Sequence, residues 1–111
     1  LIQKIGDMMM FEVYDVDLNP TRGAEMYKVR PAIIISPDTM NRNLKTVVVA
    51  PLTHTIKGYP SRVALHFDDQ RGEVVLDQIR AVDKARLIKK RGRIDAATAT
   101  NIKMVLKTMF S

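Results

Sequence analysis

Seven polar residues stand at the predicted ends of short strands: Glu25, Arg30, Thr53, His54, Asp77, Gln78 and Arg80. Arg30 precedes Pro31, which biases it toward extended geometry at a strand start. A strand start at a sheet rim presents its side chain to a groove. The planar guanidinium fork matches two oxygens of a phosphate. The Thr53 hydroxyl follows a buried strand and can donate to a phosphate oxygen at the same rim. A carboxylate such as Glu25 can take a proton from a hydroxyl within hydrogen-bond reach. Gln78 and Arg80 are two residues apart and share one face of a strand, with Asp77 on the other face unless a bulge intervenes. Plainer roles stay open beside these. Glu25 can pair with Arg22 or Lys28, Thr53 can cap a turn, and Asp77 can pair with an arginine inside the rim. His54 suits stacking on a base or contact with phosphate, and equally a solvated loop.

Other chemistry lacks its parts. The chain has no cysteine, which removes thiolate metal sites, disulfides and cysteine nucleophiles. Its two histidines, His54 and His66, have no metal-ligand spacing, so no metal and no cofactor is expected. No GxxxxGK[ST] or GxGxxG phosphate loop and no GxSxG elbow is present. The net charge of +6 is concentrated in residues 61–111, which carry +5. That excess points first to nucleic acid and second to an acidic protein segment. Lys84, Arg86, Lys89, Lys90, Arg91 and Arg93 form a basic run that either holds such a partner or is a solvated face. Six aromatic residues are too few for a stacking platform.

These residues need a scaffold, and 111 residues suffice for one domain. Residues 1–7 read as an extension, and 8–111 as the domain. Pure aliphatic runs such as Ala32–Ile35 are far below the about twenty residues of a membrane span, so no membrane partner is expected. Residues 13–18 alternate like a half-buried strand, and 31–36 and 45–52 read as strands buried on both faces. The segments 36–38 and 41–43 bound a polar loop. Residues 62–67 alternate, 68–72 turn, and 73–82 read as one further strand. Residues 83–87 suggest a helical turn, and 89–93 a strand running into a turn. Asp95 is a predicted N-cap, and Ala99, Ile102, Leu106 and Met109 mark an amphipathic C-terminal helix. The expected fold is therefore mainly β with a C-terminal helix, a bent antiparallel sheet or barrel whose open face the helix covers.

Four segments, in order, carry a resemblance. Asp17–Glu25 (DLNPTRGAE) is similar to a D-x-[DN]-P-[TS]-x-G-x-E segment, and Val29–Ser36 (VRPAIIIS) to an R-P followed by an aliphatic strand. Val49–Thr53 (VAPLT) is similar to [VA]-P-[IVL]-T, and Asp77–Asp83 (DQIRAVD) to D-Q-[IVP]-R-x-[IV]-D. Together the chain resembles the MazF/PemK/Kid family of toxin endoribonucleases over about residues 11–95. It departs from the family pattern at Met10-Phe11-Glu12 and Met26-Tyr27-Lys28, and Ala24 excludes the catalytic histidine that some members place there.

The resemblance implies a small SH3-like β-barrel of the Kid/CcdB type, working as a cytoplasmic homodimer. It implies metal-independent, sequence-specific cleavage of single-stranded RNA, mainly mRNA, to 2′,3′-cyclic phosphate and 5′-hydroxyl ends. It implies neutralisation by an acidic, MazE-like antitoxin. Carried onto this sequence, the catalytic candidates are Arg30, Thr53 and Glu25, and the RNA-contact candidates are Arg22, His54, Asp77, Gln78 and Arg80. A preplaced Arg30 facing the charge that builds on phosphate is worth about 3–4 kcal/mol, by analogy with an oxyanion donor. The alternatives are a noncatalytic RNA-binding module and a CcdB-like gyrase-targeting toxin on the same fold.

Overall fold

The computed structural model describes residues 8–18 and 29–111. Its strands are β1 (Glu12–Asp17), β2 (Val29–Ile34), β3 (Thr46–Thr53), β4 (Arg62–Phe67), β5 (Gln70–Val75), β6 (Arg80–Asp83) and β7 (Leu87–Arg93). Its helices are α1 (Asp38–Asn43) and α2 (Ala96–Met109). The strands form one antiparallel sheet in the order β4-β5-β3-β2-β1-β7, with β6 also paired to β3. The sheet curls into a half-barrel, as the strand pattern predicts. No helix among the described residues is long and apolar enough to cross a membrane.

Period-two alternation explains the double burial of β2 and β3. Ile33, Ile35, Ala50 and Leu52 enter one cluster with Phe11, Leu65, Leu76 and Ile102. Ala32, Ile34, Val47 and Val49 enter the opposite cluster with Val16, Leu18 and Val82. Each large side chain removed from water in this way contributes about 1.5–3 kcal/mol. Helix α2 closes the first cluster. The Asp95 carboxylate accepts the Thr98 amide at 2.9 Å, which starts the helix, and Ile102 is fully buried. Val63 and Leu65 of β4 point into the same cluster with Phe67 against it, while His66 is exposed.

Strand β3 belongs to two pairings, and that dual role bends the sheet. Its first half pairs with β6 through Val49↔Arg80, and its last two residues pair with β5 through Leu52↔Val74. Between those pairs, residues 75–79 on one side face only Ala50 and Pro51 on the other. The surplus chain is taken up by a 3₁₀ turn over Leu76–Gln78. The single strand expected over 73–82 is therefore broken in two.

Two further expectations are corrected. The polar loop around 36–43 contains the short helix α1, because Pro37 ends the preceding strand and Asn41 is buried. Ser36 Oγ donates to Asn41 Oδ1 at 2.6 Å, and Asn41 Nδ2 donates to the Ser36 carbonyl at 2.9 Å. Lys84, expected in a basic run, is also buried, and its ammonium donates to the Asn41 carbonyl. The run does not form one face. Arg86 donates to the Asp17 carbonyl, Lys90 pairs with buried Glu12 at 2.7 Å, and Arg91 pairs with Asp15 and Asp68.

Candidate nucleic-acid cleavage site

The register of β2 against β3 runs Ala32↔Pro51, Ile33↔Ala50, Ile34↔Val49. Arg30 and Thr53 lie two residues beyond the Ala32↔Pro51 pair, at matching positions on the two strands. Matching positions of an antiparallel pair project to the same face. Both side chains accordingly line one cavity of about 360 Å³, which Gln78 and Arg80 also line. Leu18, Pro51, Leu52 and Val75 supply its apolar part. The 3₁₀ turn delivers Gln78, and the start of β6 delivers Arg80.

Local geometry sets what each group can do. Thr53 Oγ1 accepts the Thr55 amide at 3.1 Å, so its own proton remains available to an incoming oxygen. The turn-capping role open to Thr53 in the sequence is thus present, and it orients the hydroxyl. Gly72 makes this approach possible. A Cβ there would lie 2.5 Å from the Thr53 carbonyl oxygen and 2.4 Å from the Phe67 ring. Arg30 is exposed at the strand start, and Arg80 makes a long 3.4 Å hydrogen bond to the Leu18 carbonyl.

Two candidates point elsewhere. His54 stacks on Phe67 with ring centroids 4.2 Å apart and planes 10° apart. Its Nδ1 lies 3.1 Å from the Arg71 carbonyl, and it does not line the cavity. Asp77 accepts from Arg62 Nε at 2.8 Å and from Ser61 Oγ at 2.9 Å. The ion pair with an arginine, left open by the sequence, is therefore present. Arg22 and Glu25 lie outside the described residues.

Sequence reasoning missed Arg62 and Lys57, which also line the cavity. The alternation of β4 placed Arg62 on the outward face. In the fold, the Arg62 side chain is only 8% exposed, with Nη1 3.2 Å from buried Glu73. Glu73 also accepts the amides of Lys57 at 3.2 Å and Gly58 at 2.9 Å. Burial by itself raises the Glu73 pKa, but the Gly58 and Lys57 amides and Arg62 hold it below the ordinary carboxylate value. The Arg62 hydrogen bond lowers Asp77 against the opposing effect of burial, and Ser61 adds to it. No local pattern links residues 57, 62, 73 and 77, so only the folded chain reveals the cluster.

The cavity thus presents Arg30, Lys57 and Arg80, beside an Arg62 already paired with Glu73 and Asp77, and no carboxylate is among the described residues that line it. Such a surface suits a polyanion, and the hydroxyl beside Arg30 suits a phosphodiester. Among the described residues, no group of three or more His, Asp or Glu is arranged to hold a metal ion.

Comparison with known proteins agrees with this geometry. Residues 10–110 match the family described as PemK-like, MazF-like toxin of type II toxin–antitoxin systems. The chain belongs to that family. A Staphylococcus epidermidis protein named endoribonuclease MazF is 37% identical over 87 residues, spanning 71% of each chain. An endoribonuclease from a mycobacterial species, solved in complex with its cognate antitoxin, is 31% identical with a TM-score of 0.77. That likeness covers 90% of this chain and 91% of the other. MazF from Deinococcus radiodurans, at 24% identity and a TM-score of 0.75 over 91% of this chain and 94% of that one, shares the fold. The PemK-like, MazF-like match takes in every candidate residue, Arg22 and Glu25 included.

Proposed function

We propose that this chain, an endoribonuclease of the MazF-like toxin family, cleaves single-stranded RNA, mainly mRNA, at specific sequences and without a metal ion. The observation that carries the reading is the cavity that Arg30 and Thr53 line together, among further cations. In the reaction, the 2′-oxygen attacks the adjacent phosphorus and the P–O5′ bond breaks. The products are a 2′,3′-cyclic phosphate and a free 5′-hydroxyl. Negative charge builds on the nonbridging oxygens, where the Arg30 fork and the Thr53 hydroxyl meet it. The 2′-hydroxyl proton passes to a base, for which Glu25 is the candidate. The leaving 5′-oxygen gains a proton, for which Arg30 is the candidate donor. Arg30 is not the base, because its guanidinium already carries a proton when the substrate arrives. Arg80 and Gln78 contact the RNA beside the cut.

The chain acts as a cytoplasmic homodimer and is neutralised by an acidic, MazE-like antitoxin. The mycobacterial relative solved with its cognate antitoxin supports the second of these statements. The decisive experiment incubates the folded, antitoxin-free protein with a long single-stranded RNA in EDTA and maps the new 5′ ends, with Arg30→Ala in parallel. Discrete cuts that vanish in Arg30→Ala are expected. No cuts by the unaltered protein across several RNAs would overturn the reading. RNA affinity without turnover would indicate a noncatalytic binding module, and inhibition of gyrase would indicate the other alternative.

A further inference from the structure

Arg62 differs from the other cations of the cavity. Its Nε is bound to Asp77 at 2.8 Å and its Nη1 to Glu73 at 3.2 Å. The Glu73 side chain is 4% exposed, so the pair with Arg62 is shielded from water. The three groups together carry a net charge of −1. With Lys57, which the adjoining loop brings to the cavity, that wall is neutral in sum, whereas Arg30 and Arg80 offer cationic charge. The wall therefore favours a neutral base edge over the phosphate backbone.

The same cluster joins the two segments that build this wall. Glu73 fixes the backbone of Lys57 and Gly58, and Gly58 has a left-handed φ of +69°. Arg62 Nε fixes Asp77, next to Gln78 on the 3₁₀ turn. The Arg62 guanidinium also lies 5.1 Å from the centre of the Tyr59 ring, on the same loop. One side chain thus holds both the 54–61 loop, which places Thr55 and Lys57 in the cavity, and the turn that places Gln78 there.

We infer that Arg62 is a positioning residue for base selection: it locks the 54–61 loop against the Leu76–Gln78 turn, so that Gln78 meets the RNA base in one geometry. This rests on the RNA-cleaving reading above. Arg62 acts through Gln78 and the loop, not on the scissile phosphate. Unpaired bases are read by hydrogen bonds to their edges, and a small displacement of the reading group alters the choice between them.

The test compares unaltered protein with Arg62→Met and Arg62→Lys. The lysine keeps the charge but lacks the fork that joins two carboxylates. All 5′ ends on one long RNA are mapped, and rates at individual sites are expressed as ratios. Loss of folded enzyme lowers every site by one common factor and leaves those ratios unchanged. Displacement of the wall shifts relative site use by about tenfold or more. In a second arm, Kd ratios are measured for short single strands that carry 2′-deoxy groups throughout, so that none can be cut, and that differ by one base. This arm gives a result even if the unaltered protein does not cut, and so separates failure of this inference from failure of the nuclease reading. Shifted ratios in either arm support the inference. Unchanged site ratios and unchanged Kd ratios, with total cutting falling only as the folded fraction falls, would overturn it. If Arg62→Met does not fold, Arg62→Lys is judged by the same two ratios.

Discussion

Two arginine-lined depressions among the described residues invite comparison, and the larger of the two is not the proposed site. A groove of about 630 Å³ lies between β4, β7 and α2 and presents His66, Arg71, Arg91 and Arg93. It also contains Asp68 and Asp95. Arg91 there is held by Asp15 at 2.7 Å and by Asp68, and Asp15 foremost raises its pKa. Asp95 is engaged in capping α2. The smaller cavity has four cations and no carboxylate among its described lining residues. The two depressions thus differ in charge as well as in size: aspartates line the groove, and no carboxylate is among the described residues that line the proposed site. In the groove, arginine and aspartate join β7 to the β4–β5 turn across the gap between the two sheet edges. In the cavity, Arg30 and Arg80 form no ion pair among the described residues, and Arg80 has only its long hydrogen bond to the Leu18 carbonyl.

That contrast can be broken most sharply at Arg30. Arg30→Ala should reduce the cleavage rate by about a hundredfold to a thousandfold, as loss of an oxyanion donor does. Arg71→Ala in the groove should leave the rate near that of the unaltered protein, and single-turnover cleavage of one RNA checks both. Next in size is Thr53→Val, which removes the hydroxyl while keeping the branched shape. A hydrogen bond to a charged group is worth about 1.5–3 kcal/mol, so the rate should fall by about tenfold or more. Arg80→Gln should act on binding. The slope of log affinity against log salt should flatten by about 0.7 if Arg80 neutralises one phosphate of a single strand. A salt titration by fluorescence anisotropy measures it, and Arg71→Ala should leave the slope unchanged.

The smallest effect concerns stability in acid. Glu73 and Asp77 titrate below their ordinary values in the folded chain. Their contribution is thus present above the unfolded carboxylate value of about 4 and is lost as pH falls through the lowered native values. Arg62→Met removes one cause of that lowering, so acid unfolding should begin at a higher pH than in the unaltered protein. Arg91→Ala should produce a smaller change, because its partners are more exposed and solvent screens them. Circular dichroism followed against pH ranks the two.

Much of the scaffold was legible in the residues. Alternation in 13–18 and 62–67, β-branched runs in 31–36 and 45–52, and the spacing from Ala99 to Met109 gave strands and a terminal helix near their observed places. The pairing of Arg30 with Thr53 was legible only as two motifs, R-P and P-x-T, separated by a strand. Only the fold brings them to one cavity. His54 follows Thr53 directly, yet it faces Phe67 and Arg71 rather than the cavity. Adjacent residues of an extended segment point apart, and sequence proximity does not bring them to one site.

The sequence by itself determined most of the strands and the start of the C-terminal helix, and it singled out Arg30, Thr53, Gln78 and Arg80, which line one cavity. These follow from short-range causes: side-chain alternation, capping chemistry and the geometry of the residue before proline. Tertiary structure alone decided the break in the 73–82 strand, the burial of Asn41 with Lys84, and the Glu73–Arg62–Asp77 cluster. Each depends on groups distant in the chain meeting where water is excluded. There an unpaired charge is costly, and so the partner fixes its position.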